Sequence, residues 1–170
     1  MSAAPPLMRI PIGVVVERRK ARSAWAEFSW RPVSVLVGLP EAEPWTALTR
    51  DGDTARFYAG AAEIELYRSE TGNYLSNLSS GGPSVWVALQ ETGGDPPCEI
   101  RAVTADPAEG EALTEPGQGI VETVPLPEPL CDAIAAFVAE YHVERPFQKR
   151  VRDRADADAL ARRRPTPRLR

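Results

Sequence analysis

The stretch Ile10-Pro11-Ile12-Gly13-Val14-Val15-Val16 reads as a β-strand with a buried centre. Its apolar residues first alternate and then run together, and β-branched side chains suit a pleated, half-buried backbone. On this reading the strand ends at the charged cluster Glu17-Arg18-Arg19-Lys20. Working outward, residues 25–39 read as a second strand, long or bent. Ala26, Phe28 and Trp30 share one face, and Val33, Val35 and Val37 continue beyond the bend expected at Pro32. Gly38 and Pro40 close it. Asp51-Gly52-Asp53 is a turn signal, and residues 55–59 and 63–68 are expected to form a hairpin after it.

A strand–helix–strand pattern then occurs twice. In the first copy, Ile64 and Leu66 precede Ser69 as N-cap, and Tyr74, Leu75 and Leu78 follow at helical spacing. A strand over residues 83–90 sets Val85, Val87 and Leu89 against Trp86. In the second, Ile100, Ala102 and Thr104 lead to Asp106-Pro107-Ala108-Glu109. There Asp106 caps, Pro107 takes the first helical position, and Glu109 completes a capping box. Gly117 and Gly119 stop this helix, and residues 120–126 form the next strand. Gly72 and Gly110 weaken the two helices by about 1 kcal/mol each relative to alanine.

The strongest helical signal spans residues 129–143, where Leu130, Ile134, Phe137, Val138 and Tyr141 fall on one face. Pro146 ends it. The sequence thus predicts an α+β fold, mainly β. Seven or eight strands form a curved antiparallel or mixed sheet, with two short helices and a C-terminal amphipathic helix packed on it. Residues 1–9 are expected to be a flexible N-terminus and residues 10–147 one globular domain. Residues 148–170 then form a charged tail, largely disordered or partly helical.

Composition supports many short elements. The 17 prolines among 170 residues are about twice the usual share, and each removes a backbone donor. No apolar run nears the ~20 residues of a spanning helix, and residues 1–9 lack the apolar core of a signal peptide. The two cysteines, Cys98 and Cys131, are too few for a disulfide scaffold and are expected to be buried thiols. The reading is a cytoplasmic protein that does not contact membranes. Its net charge of −4 is unevenly laid out, with residues 32–147 strongly acidic between two basic flanks. That layout suits electrostatic steering of a partner.

No residue pattern marks catalysis, a cofactor or a metal. His142 is the sole histidine, so a two-histidine metal site is excluded, and a Cys98–Cys131–His142 set lacks close ligand spacing. The serines offer no nucleophile elbow. Gly81-Gly82-Pro83 leads into a strand rather than a helix, which favours a turn over a phosphate loop. The basic run Arg18, Arg19, Lys20, Arg22 and the tail run from Lys149 lack the interleaved aromatics of single-strand binding, so nucleic acid is disfavoured. Trp25 and Trp30 have opposite strand parity, so one of them is expected to be exposed unless the strand bends. Candidate docking residues are Arg18, Arg19, Trp25 and Trp86 on the body, with Arg145, Phe147, Lys149 and Arg150 as a tail contact.

Three stretches together resemble a known family. They are Val14-Val15-Val16-Glu17-Arg18-Arg19 with Trp25 and Trp30-Arg31-Pro32; Tyr74-Leu75-Ser76-Asn77-Leu78 leading to Pro83-Ser84-Val85-Trp86-Val87; and Val121-Glu122 through Pro125-Leu126-Pro127 to His142-Val143-Glu144-Arg145-Pro146-Phe147-Gln148-Lys149-Arg150. Over residues 10–154 the chain is similar to the uncharacterised proteobacterial domain-of-unknown-function 3305 family. The genes of that family typically stand beside those of formate dehydrogenase and its maturation factors. Its members often carry the label molybdopterin-guanine dinucleotide biosynthesis protein A. The authentic guanylyltransferases are Rossmann-like, with a glycine-rich loop after the first strand. Here Glu17-Arg18-Arg19-Lys20-Ala21-Arg22 follows instead, without the glycine that close approach to a triphosphate needs. The resemblance therefore implies a non-enzymatic accessory or adaptor protein in the biogenesis of a molybdenum- or tungsten-dependent formate dehydrogenase. It would act by binding a protein of that maturation system. The alternatives are a molybdenum-cofactor nucleotidyltransferase and nucleic-acid binding through the basic tail.

Overall fold

A computed structural model describes residues 4–117 and 119–144. Among these residues, seven antiparallel strands divide between two sheets, and three short helices gather beside them. The first sheet holds β1 (Met8–Lys20), β2 (Phe28–Val37), β3 (Thr46–Asp51) and β4 (Thr54–Leu66), in the order β2-β1-β4-β3. The second holds β5 (Ser84–Glu91), β6 (Cys98–Thr104) and β7 (Ile120–Pro125), in the order β6-β5-β7. The helices are α1 (Thr71–Leu78), α2 (Pro107–Leu113) and α3 (Glu128–Tyr141). The mainly β, α+β class is as expected, with the strands shared between two sheets rather than one. Among the described residues no helix is long and apolar enough to cross a membrane.

β1 is longer than its apolar run. It continues through the charged cluster because both neighbours pair with it to the end, with Lys20 opposite Phe28 and Arg19 opposite Thr54. Ile12, Val14 and Val16 face the core, where they meet Val35, Phe57, Ile64 and Leu66. Pro32 sits opposite Val16 where the β1–β2 register shifts, leaving Val33 as the extra residue. Proline is tolerated there because β2 is an edge strand of its sheet.

The expected hairpin between residues 55–59 and 63–68 is instead one continuous strand. Gly60, with φ of +135°, lets β4 pass a bulge and continue along β1. The true hairpin is β3–β4, turned at Gly52 (φ +57°). β3 escaped notice because all six of its residues are exposed, so no buried face patterns its sequence.

The two strand–helix–strand units are present as β4-α1-β5 and β6-α2-β7. They are not equivalent, because β4 belongs to the first sheet while β6 and β7 flank β5 in the second. Asp106 caps α2, accepting from the amides of Ala108 and Glu109. The expected reciprocal bond differs: the Asp106 amide donates to the Thr104 hydroxyl, which itself donates to the Glu109 carboxylate at 2.7 Å. Ser69 does not cap α1. It lies in a single 3₁₀ turn, Arg68–Glu70, and its hydroxyl donates to Glu70.

β2 runs beside β7 and β4 beside β6, so the two sheets enclose a shared core without closing into a barrel. α3 adds Leu130, Ile134, Phe137 and Val138 to that core and packs on α1, where Phe137 meets Tyr74 edge-on. Asn77, 4 % exposed, ties α1 to the second sheet. Its amide nitrogen donates to the carbonyls of Ser84 and Ala105, and its oxygen accepts from the Ser84 amide. The expected tail, residues 148–170, lies outside the described residues.

Candidate functional site

Antiparallel pairing around β1 gathers three arginines about one carboxylate. Arg31 on β2 and Arg56 on β4 stand directly opposite Glu17 on either side. Adjacent strands are about 4.8 Å apart, so both guanidiniums can reach its carboxylate. Oε1 accepts from Arg31 Nε at 3.3 Å and Nη2 at 3.1 Å, and from Arg19 Nη2 at 3.4 Å. Oε2 accepts from Arg56 Nε at 3.3 Å. Glu17 is only 5 % exposed. Burial works to raise its pKa, but the bonds from Arg31 and Arg56 and the charges of Arg31 and Arg19 outweigh it, so the net shift is downward from 4.5.

The opposite face of β1 carries a different chemistry. Arg18 lies over the rings of Phe28 and Phe57, 4.3 Å and 5.2 Å from their centroids. Phe57 in turn packs with Trp30 and Trp45. Trp45 holds a φ of +71°, the one positive value at a non-glycine residue among those described. Its amide donates to the Tyr58 carbonyl and its ring is wedged against Trp30, which together hold that backbone. The basic run of the sequence is therefore not one patch. Strand alternation sends Arg18 to the aromatic face and Arg19 to the Glu17 face.

Between β1 and β2 the chain turns over residues 21–27, closed by the Ala21 amide donating to the Glu27 carbonyl. Trp25 sits in this loop and is 97 % exposed. It is the exposed member of the Trp25–Trp30 pair, for a simpler reason than parity: β2 begins only at Phe28. Arg18, Lys20, Phe28 and Arg50 line a shallow groove of about 160 Å³ at this end of the sheet.

The remaining candidates lie elsewhere. Trp86 is half-buried on β5, in the other sheet, and its ring occupies the space beside Gly110 of α2. Arg145, Phe147, Lys149 and Arg150 lie outside the described residues. His142 caps the C-terminus of α3, and its Nδ1 is 3.0 Å from the Thr71 hydroxyl. Both residues border an open cleft of about 870 Å³, with Leu7, Tyr67, Tyr141 and Val143. Cys98 is buried, and burial pushes its thiol up to about 11. Cys131 is half-buried with its pKa raised, again first by burial.

The sequence reading missed Arg31 and Arg56. The available signal was Glu17 itself, a carboxylate directly after three valines in a central strand, which must find cationic partners across the sheet.

These features define a two-sheet, mainly β domain that presents an exposed tryptophan beside arginine-rich strand ends. The chain belongs to the family described as protein of unknown function (DUF3305), whose model matches residues 11–151. No curated protein and no solved structure matches it.

Proposed function

We propose that the chain is a non-enzymatic accessory protein of formate dehydrogenase biogenesis, binding a protein of that maturation system through the tip of its first hairpin. The link to formate dehydrogenase rests on the family resemblance. Trp25 carries the docking reading. A tryptophan that is 97 % exposed at a loop tip leaves a large apolar area in water. Aromatic and arginine side chains dominate interface energetics, and Arg18, Arg19 and Arg22 stand beside it in the chain. Their charge suits an acidic partner surface. Against a nucleotidyltransferase stands the local topology, in which β1 turns directly back into antiparallel β2. No helix N-terminus is supplied there for a triphosphate.

The test is complementation. A strain lacking this gene is given either the natural chain or Trp25→Ala, and formate dehydrogenase activity is assayed. Restoration by the natural chain with failure of a folded Trp25→Ala is expected. Full activity in the deletion strain itself would end the proposal.

A further inference from the structure

We infer that the arginines around Glu17 form a binding site for a phosphate dianion, a reading that does not rest on the docking proposal although Arg19 belongs to both. A buried carboxylate needs a cationic partner, and Arg31 alone supplies one, reaching Oε1 through both Nε and Nη2. Arg19 and Arg56 are then in excess. Three guanidiniums share one carboxylate, and among the described residues none of the three has another acidic partner within 4.0 Å. The cluster therefore carries a net charge of +2.

The outward side of the cluster is open. Arg19, Arg31 and Arg56 side chains are 59 %, 55 % and 52 % exposed, against 6 % for Glu17. Each guanidinium has five donors, and Glu17 takes one from Arg19, two from Arg31 and one from Arg56. The nearest strand positions on this face add hydroxyls rather than acids: Thr49 pairs with Arg56, and Ser29 and Thr54 pair with Arg19. Asp51 lies one strand beyond Thr54.

Two excess charges match a phosphate monoester, which carries about −1.5 to −2 at neutral pH. Forks arriving from three strands approach from different directions, which suits a tetrahedral group with three equivalent oxygens better than a planar carboxylate. Glu17 acts as the organiser, holding the guanidiniums together against their mutual repulsion.

The test is calorimetric titration of the full chain at low ionic strength with inorganic phosphate, O-phosphoserine and malonate. Saturable phosphate binding is expected, with malonate weaker. Arg31→Gln and Arg56→Gln should each weaken it by about tenfold or more, while Arg9→Gln, at the far end of β1, leaves it unchanged. Tighter binding of O-phosphoserine than of phosphate would assign the site to a phosphorylated side chain, and equal binding to the free ion. Thermal melts check folding. If a Gln variant unfolds, Arg19→Gln carries the same test, since its bond to Glu17 is the longest of the set. Absence of saturable phosphate binding, indifference to these substitutions, or malonate binding as tightly as phosphate overturns the proposal.

Discussion

The indole of Trp86 occupies the space into which a β-carbon on Gly110 would project. The contact sets the largest side chain against the smallest where strand β5 packs on helix α2. Gly110 lowers the intrinsic stability of α2 by about 1 kcal/mol relative to alanine, yet it is buried and admits the ring. Gly110→Ala therefore should not stabilise the protein, as helix propensity alone would have it. Overpacking outweighs the gain, and a net loss of about 1–2 kcal/mol is expected in chemical denaturation.

Asn77 is a second such tie. Replacing it with alanine strips partners from the Ser84 amide and from the carbonyls of Ser84 and Ala105. Buried groups left without partners cost about 1–3 kcal/mol each, and not additively. A loss of about 3 kcal/mol is expected for Asn77→Ala, read from the denaturation midpoint.

Much of this architecture was legible because it is local. Asp106-Pro107 announced the start of α2, and the spacing of Leu130, Ile134 and Phe137 announced α3. The division into two sheets was not legible, since it depends on pairings between distant segments. β1 meets β4 across the whole of β2 and β3, and nothing near Val14 records that Gly60 lies beside it. β3 was invisible because its sequence, Thr46-Ala47-Leu48-Thr49-Arg50-Asp51, has no buried side to pattern it. Of the site, the charged run at Arg18 and Arg19 was legible from composition, whereas the exposure of Trp25 follows from where β2 begins and not from strand parity. Arg31 and Arg56 were not, because only register brings them to Glu17.

Glu17 gives the fold an acid-labile element. Its pKa is depressed in the folded state from an ordinary 4.5, so its stabilising contribution is complete above about 4.5 and is lost as pH falls through the lower folded value. Glu17→Gln should flatten the acid limb of the stability–pH curve. At neutral pH it should cost only about 1 kcal/mol, because the three arginine partners are half exposed. An unchanged acid limb in this variant would remove Glu17 from that role.

The two thiols should separate by reactivity. Cys98 is 1 % exposed and its pKa is pushed up to about 11, so almost no thiolate forms at neutral pH. In the native protein a thiol-specific chromogenic reagent should label Cys131 slowly and leave Cys98 untouched until denaturant is added. Rapid labelling of both would mean that β6 opens readily from β5.

The most direct measurement is affinity capture of the tagged chain from its host during formate-dependent growth, with quantitative comparison of the natural protein, Trp25→Ala and Arg9→Gln. Trp25 is almost wholly exposed, so its removal should leave stability within about 0.5 kcal/mol. The predicted result is retention of formate dehydrogenase subunits or their maturation factors by the natural chain and by Arg9→Gln, with loss from Trp25→Ala. Equal retention by all three would contradict docking through the hairpin tip, and absence of any such protein from all three would contradict the link to formate dehydrogenase itself.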